Sequence, residues 1–121
     1  MPKILIIEDE PLISLMYTTK FKQKKYTVFT AMDGKSGLSF AMEKQPDMIL
    51  LDLVLPGMSG YDILKELKKS EATRDIPVII TSNLGQDEEI AEGKKLGAVD
   101  YVVKSLITPA ALVEKVDKLL E

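Results

Sequence analysis

The chain has 121 residues, a length that suits one domain, and is 45% hydrophobic and 29% charged, enough for a buried core beneath a polar surface. A net charge of −3 without any basic block argues against a nucleic-acid-binding surface. Cysteine and histidine are both absent, which excludes disulfides, thiolate metal sites, phosphate donation from a phosphohistidine and a Ser-His-Asp triad.

The amino-terminal MPKILIIEDE is not a signal peptide, because acids follow its short apolar run at once. The run itself predicts a first strand over about Lys3–Ile7. A first helix begins near Pro11, which suits the first helical position, with Leu12, Leu15, Met16 and Thr19 as its expected buried stripe. A second strand is expected over about Thr27–Ala31 and a second helix over about Gly34–Lys44. Met48–Leu51 reads as a third strand, followed by a loop carrying Pro56, Gly57 and Gly60. The third helix runs to about Lys68 with Ile63, Leu64 and Leu67 inward, and Val78–Ile80 reads as a fourth strand.

The fourth helix, about Gln86–Leu96, is the weakest. Gly93 in its middle costs about 1 kcal/mol relative to Ala, and Gly97 is placed to close it. A fifth strand is expected over about Asp100–Val103. The fifth helix takes Thr108 as N-cap and Pro109 at its first position, with Leu112, Val113, Val116, Leu119 and Leu120 as its apolar stripe. No internal repeat, linker or low-complexity segment interrupts this order, and one domain over residues 1–121 is expected. No apolar run approaches the about 18–20 residues of a membrane span, so no membrane partner and a cytoplasmic location are expected.

Strands alternating with helices predict an α/β fold, a doubly wound parallel (βα)5 sheet with helices on both faces. In such sheets the functional crevice lies outside the carboxyl ends of the strands. Four apolar runs end on polar residues: KILII before Glu8 and Asp9, MILL before Asp52, PVII before Thr81, and YVV before Lys104. Only the second strand contributes nothing, which fits an edge position in the order 2-1-3-4-5. Each residue alone has an ordinary structural use, as a solvated turn, a cap, a strand end or a surface lysine. Their conjunction at successive strand ends is far more specific.

Three carboxylates at one edge repel one another unless a cation neutralises them. Mg²⁺ suits such a set, because it takes one or two carboxylates and leaves positions for water and phosphate oxygens. Asp52 is followed by a loop instead of a helix, so its carboxylate is free to act as a nucleophile on a phosphoryl group. The Thr81 hydroxyl can donate to a phosphoryl oxygen. Lys104 is expected to pair with Asp52 and then with the phosphoryl group.

The segments ILIIEDEP, DMILLDLVLPGMSGYDIL, IPVIITSN and GAVDYVVK resemble the receiver domain of two-component response regulators, over the whole of residues 1–121 and with a flavodoxin-like sheet. The resemblance implies a chemotaxis-regulator-like, stand-alone signalling switch, not an enzyme beyond assisting its own phosphorylation and dephosphorylation. It implies phosphorylation of Asp52 by a histidine kinase or histidine phosphotransfer protein. It further implies Mg²⁺ held by Asp9, Asp52 and the backbone carbonyl of Val54, with Glu8 acting largely through water. Thr81 and Tyr101 become switch residues: Thr81 moves toward the phosphoryl group, the vacated space admits Tyr101, and the face made by the fourth helix, fifth strand and fifth helix changes for an output partner. Val54 and Asn83, two residues after Asp52 and Thr81, are expected to flank the water that hydrolyses the acyl phosphate. Val54 offers that water no hydrogen bond and Asn83 compensates in part, so a long-lived phosphoryl group is expected.

The sequence departs from the family at Ser105, where a proline, often after a cis bond, usually follows the lysine. A cis bond before a non-proline residue costs about 2.5–4 kcal/mol, so a trans bond with a reshaped loop is the alternative. Ser105 is also the one feature favouring a receiver fold used only as a non-phosphorylated interaction module. An aspartyl-phosphate hydrolase of the haloacid dehalogenase type would need a second Asp where Val54 stands. Cofactor binding of the flavodoxin kind is disfavoured by the acids that follow the first strand.

Overall fold

The computed structural model describes residues 1–121. Five parallel strands, β1 (Lys3–Ile7), β2 (Thr27–Ala31), β3 (Met48–Asp52), β4 (Val78–Ser82) and β5 (Asp100–Val103), form one sheet in the order β2-β1-β3-β4-β5. Five helices connect or follow them: α1 (Pro11–Gln23), α2 (Gly34–Lys44), α3 (Gly60–Lys69), α4 (Asp87–Lys95) and α5 (Pro109–Leu120). The expected order and edge position of β2 are thus observed. All of β3 and β4 is buried, whereas β2 leaves Thr27 and Thr30 exposed, as an edge strand does.

Side-chain alternation along each strand feeds two cores. Leu5, Ile7, Ile49, Leu51, Val78 and Ile80 face one way, with Ala41 of α2 and Ile63, Leu64 and Leu67 of α3. Ile4, Ile6, Met48, Leu50, Ile79 and Val102 face the other, with Tyr17 and Phe21 of α1 and Leu112, Val113 and Val116 of α5. Fully burying one such aliphatic side chain stabilises the fold by about 1.5–3 kcal/mol.

The α1 stripe is the correction. Leu12, Leu15, Met16 and Thr19 are exposed, Leu12 at 76%. The buried ridge is instead Ile13, Tyr17 and Phe21, spaced at i, i+4 and i+8. Apolar residues occur around the whole circumference of PLISLMYTTKF, so two phases compete. Aromatic area decides between them: Phe21 stacks edge-on against Tyr26, with ring centroids 5.0 Å apart. In α5 the stripe holds for Leu112, Val113 and Val116, while Leu119 is exposed.

β3 and β4 extend past their expected ends, so Asp52 and Thr81 are ladder residues that stand opposite each other. α4 retains Gly93 for a packing reason: a Cβ there would lie 2.5 Å from Ile80 Cδ1 and 3.3 Å from the Tyr101 ring. Gly97 closes the segment with φ +112, a left-handed conformation that glycine adopts without strain.

Candidate functional site

The same alternation that builds the second core builds the site. Ile4 and Ile6 face α1 and α5, so Glu8 does too; Met48 and Leu50 lead in phase to Asp52, Ile79 to Thr81, and Val102 to Lys104. The parallel register brings these ends level, with Ile7 opposite Leu51 and Asp52 opposite Thr81. Four residues far apart in sequence therefore converge on one sheet edge.

Lys104 is the hub. Its Nζ lies 2.6 Å from Glu8 Oε1 and donates a 3.0 Å hydrogen bond to Asp52 Oδ2. Glu8 is 1% and Asp52 4% exposed, whereas Asp9 sits half-buried at the rim. The Val54 N–H donates to Asp52 Oδ1 at 3.2 Å and the Glu10 N–H to Glu8 Oε2 at 3.1 Å. Burial pushes the Glu8 carboxyl up to about 7, and the Asp52 charge adds to this against the opposing pull of Lys104 and the Glu10 N–H. Burial also works against the Lys104 ammonium, but its hydrogen bonds and charge attraction to Glu8 and Asp52 outweigh that and raise it above the ordinary lysine value.

One carboxylate oxygen from each of Glu8, Asp9 and Asp52 lies within 4.8 Å of the others. Three carboxylates against one ammonium leave an excess of negative charge, and the donors are all oxygen, which is the chemistry a hard divalent cation needs. Asp9 and Asp52 open onto a cavity of about 210 Å³ lined also by Glu10, Val54, Ser82, Asn83, Leu84 and Lys104, with Glu8 buried behind it. Thr81 is buried beside Asp52 but is not part of this wall.

Tyr101 belongs to the opposite face of the sheet and is already turned inward, 8% exposed, with its hydroxyl donating to the Leu84 carbonyl. The room over Gly93 and the Leu84 acceptor hold it in place.

The Lys104–Ser105 bond is trans, as is every peptide bond in the chain. Lys104–Leu106 form a single 3-10 turn in which the Ser105 N–H donates to Asn83 Oδ1 at 3.1 Å. Lys104 still reaches both carboxylates, so Ser105 does not displace it. Ser105, unlike a proline, carries a backbone N–H that must find an acceptor, and Asn83 supplies it.

Gly60, expected in the loop after the third strand, is instead the first residue of α3 and supports the backbone of Asp52. A Cβ on Gly60 would lie 2.3 Å from the Asp52 carbonyl oxygen and 2.6 Å from Leu53 Cα. The Gly60 N–H also donates to the Leu53 carbonyl at 2.8 Å. The start of α3 thus rests directly on the backbone that carries Asp52, an approach that only glycine permits. The two glycines of PGMSG are the sequence signal for it.

Comparison with known proteins agrees with this arrangement. Residues 4–117 match the family described as the response regulator receiver domain. The chain is 41% identical over 104 residues to the DNA-binding dual master transcriptional regulator RpaA of Synechocystis sp., covering 86% of this chain but only 43% of that protein. It is 35% identical over 104 residues to Protein PilH of Pseudomonas aeruginosa, covering 86% of each. Among solved structures, chemotaxis protein CheY4 of Vibrio cholerae superimposes with a TM-score of 0.91 at 27% identity, covering 98% of both chains. The chain spans about half the length, or less, of several curated relatives, RpaA and the PhoB regulators among them. By its sequence, its sheet order and the acidic cluster at its strand ends, this chain belongs to the receiver-domain family of two-component response regulators.

Proposed function

We propose that the chain is a phosphoacceptor switch in which Asp52 takes a phosphoryl group from a phosphohistidine of a histidine kinase or histidine phosphotransfer protein. The observation that carries this reading is the Asp52 carboxylate, buried at the floor of an open cavity and held by the Lys104 ammonium and the Val54 N–H. An Asp52 oxygen attacks phosphorus, the donor's P–N bond breaks, and its electron pair returns to the imidazole nitrogen, which takes a proton from solvent. Lys104 then faces the new phosphoryl oxygens at the position where it now meets Asp52, and Thr81, across the ladder, supplies a hydroxyl donor.

Asp9, Asp52 and the Val54 carbonyl would hold Mg²⁺, with Glu8 contributing through water. When bound, the ion neutralises charge on the phosphoryl oxygens. Phosphorylation adds roughly −1.5 to −2 charge beside the loop that leads from β4 to α4. The reading assigns the output to the α4, β5 and α5 face, where the Leu84 carbonyl is tied to Tyr101 and the Glu89 carbonyl accepts from the Tyr61 hydroxyl at 3.0 Å. No helix is long and apolar enough to cross a membrane, and the reading places the protein in the cytoplasm. The chain assists its own phosphorylation and dephosphorylation and turns over no other substrate.

Incubation with acetyl phosphate and Mg²⁺ tests the reading by intact-mass measurement. One phosphoryl group per chain is expected on the wild type and none on Asp52→Asn. An unlabelled wild type, or a labelled variant, would refute it.

A further inference from the structure

Gly60 and Tyr61 are consecutive in α3 and touch two different parts of the molecule. Gly60 rests on the backbone of Asp52 and Leu53 with no room for a Cβ, and its N–H donates to the Leu53 carbonyl at 2.8 Å. Ser59 caps the helix by accepting from the Tyr61 N–H at 3.1 Å, so Tyr61 leaves from a fixed turn. The Tyr61 ring packs against the core, and its hydroxyl donates to the Glu89 carbonyl in α4 at 3.0 Å. Glu89 is also the residue that fixes the start of α4, because its carboxylate accepts from the Gln86 N–H at 3.0 Å and closes the capping box. Gly93 is the only buried residue of α4, so apolar packing holds this helix lightly and one hydroxyl is a large share of its anchorage. The Tyr101 hydroxyl grips a different point, the Leu84 carbonyl in the loop before α4.

We propose that Tyr61 is a positioning residue that carries a displacement of the Asp52 backbone to α4, by a route separate from Thr81 and Tyr101. The inference rests on the phosphoacceptor reading above. Coupling between separated sites travels through packed contacts and hydrogen bonds that cannot yield independently. A group added to the Asp52 carboxylate pulls on the backbone that carries it. Gly60 has no slack against that backbone, so the first turn of α3 follows it. The Tyr61 hydroxyl passes the movement to Glu89, where the first turn of α4 is fixed. Tyr61 does not line the cavity, so it acts on Asp52 and on α4 only through these contacts.

The test compares wild type, Tyr61→Phe and Tyr101→Phe by amide NMR, before and after beryllofluoride, a phosphoryl mimic, is added with saturating Mg²⁺. Phenylalanine keeps the ring and removes only the hydroxyl. Before addition, exchange of the α4 amides Ile90–Lys95 is expected to quicken about threefold to tenfold in Tyr61→Phe, the range one hydrogen bond supplies. After addition, the shifts induced at Asp52–Val54 are expected to match wild type, while those at Glu89–Gly93 lose most of their size. Tyr101→Phe is expected to lose the response at Leu84–Gln86 and to keep that at Glu89–Gly93. Unchanged exchange in Tyr61→Phe means that the tether does not hold α4 and overturns the proposal. Faster exchange with a full response at Glu89–Gly93 also overturns it, because the bond is then structural only. Equal losses at Glu89–Gly93 in both variants overturn the separate route. A wild type without any beryllofluoride-dependent shift at Asp52 refutes the phosphoacceptor reading, and the proposal falls with it.

Discussion

The Lys104 ammonium lies 2.6 Å from the Glu8 carboxylate, closer than the 3.0 Å to Asp52 with which it was expected to pair. One ammonium thus contacts two buried carboxyl groups, and Asp52 shares its partner with Glu8.

Removing that cation should be costly. Lys104→Met leaves Glu8 and Asp52 buried without a partner, and losing one member of a buried pair costs about 3–5 kcal/mol. Because Glu8 can take a proton when unpaired, a loss of about 3 kcal/mol is expected from denaturant unfolding without Mg²⁺, with partial recovery as Mg²⁺ is added. A change under about 0.5 kcal/mol, the range typical of surface substitutions, would show that the contact contributes little.

Asp52→Asn should move stability the other way. It removes one of three clustered negative charges while Lys104 keeps Glu8. The metal-free fold is expected to gain on the order of 1 kcal/mol, because like-charge repulsion on the buried Glu8 is relieved. Mg²⁺ should stabilise the wild type and do so much less for the variant. Paired thermal scans with and without Mg²⁺ check both statements, and a lower metal-free Tm in Asp52→Asn counts against the repulsion argument.

Gly60→Ala separates helix propensity from packing. Propensity alone favours alanine by about 1 kcal/mol. The added Cβ instead meets backbone of β3 and the loop after it, at 2.3 Å and 2.6 Å, which cannot move without shifting Asp52. A net loss of about 3 kcal/mol is expected by chemical denaturation, and slower labelling by acetyl phosphate should accompany it. A stabilised variant would mean that α3 can pivot freely.

Tyr26 ties the entry of β2 to α5 through a 2.5 Å hydrogen bond from its hydroxyl to Asp117. Burial raises its pKa well above the usual tyrosine value, and the Asp117 hydrogen bond and charge raise it further. The unfolded chain loses this proton near pH 10, while the folded protein retains it. The stabilisation is fully present below about pH 10 and declines as pH rises beyond it. Tyr26→Phe is expected to lose about 1–2 kcal/mol at pH 8 and to decline less steeply in alkaline unfolding. Some slope should remain, because Tyr17, Tyr61 and Tyr101 are raised as well. An unchanged alkaline slope would dissociate Tyr26 from Asp117.

Val54 is 61% exposed on the cavity wall and carries no side-chain acceptor. Val54→Asn adds an amide where a hydrolytic water would approach. Autodephosphorylation is expected to quicken about threefold or more, measured on labelled protein with saturating Mg²⁺. An equal or slower rate would mean that this side chain does not gate the water.

The convergence of Glu8, Asp52, Thr81 and Lys104 was determined by the sequence itself. Short runs of Ile, Val and Leu can be satisfied only inside a parallel sheet covered on both faces, and period-two alternation then carries each terminal polar residue to the same side. The α3 stripe was equally plain, because Ile63, Leu64 and Leu67 form one apolar ridge on an otherwise polar helix. The phase of α1 was not, since apolar residues surround that helix and only the aromatic contact of Phe21 with Tyr26 chooses the buried side. Tertiary structure likewise decided the inward Tyr101, which depends on space above Gly93 and an acceptor at Leu84, and the Asn83–Ser105 bond across two loops. Periodicity is a property of neighbouring residues and can be read along the chain. Which of two apolar faces is buried, and which acceptor a free N–H meets, depends on groups brought together only when the sheet and helices have packed.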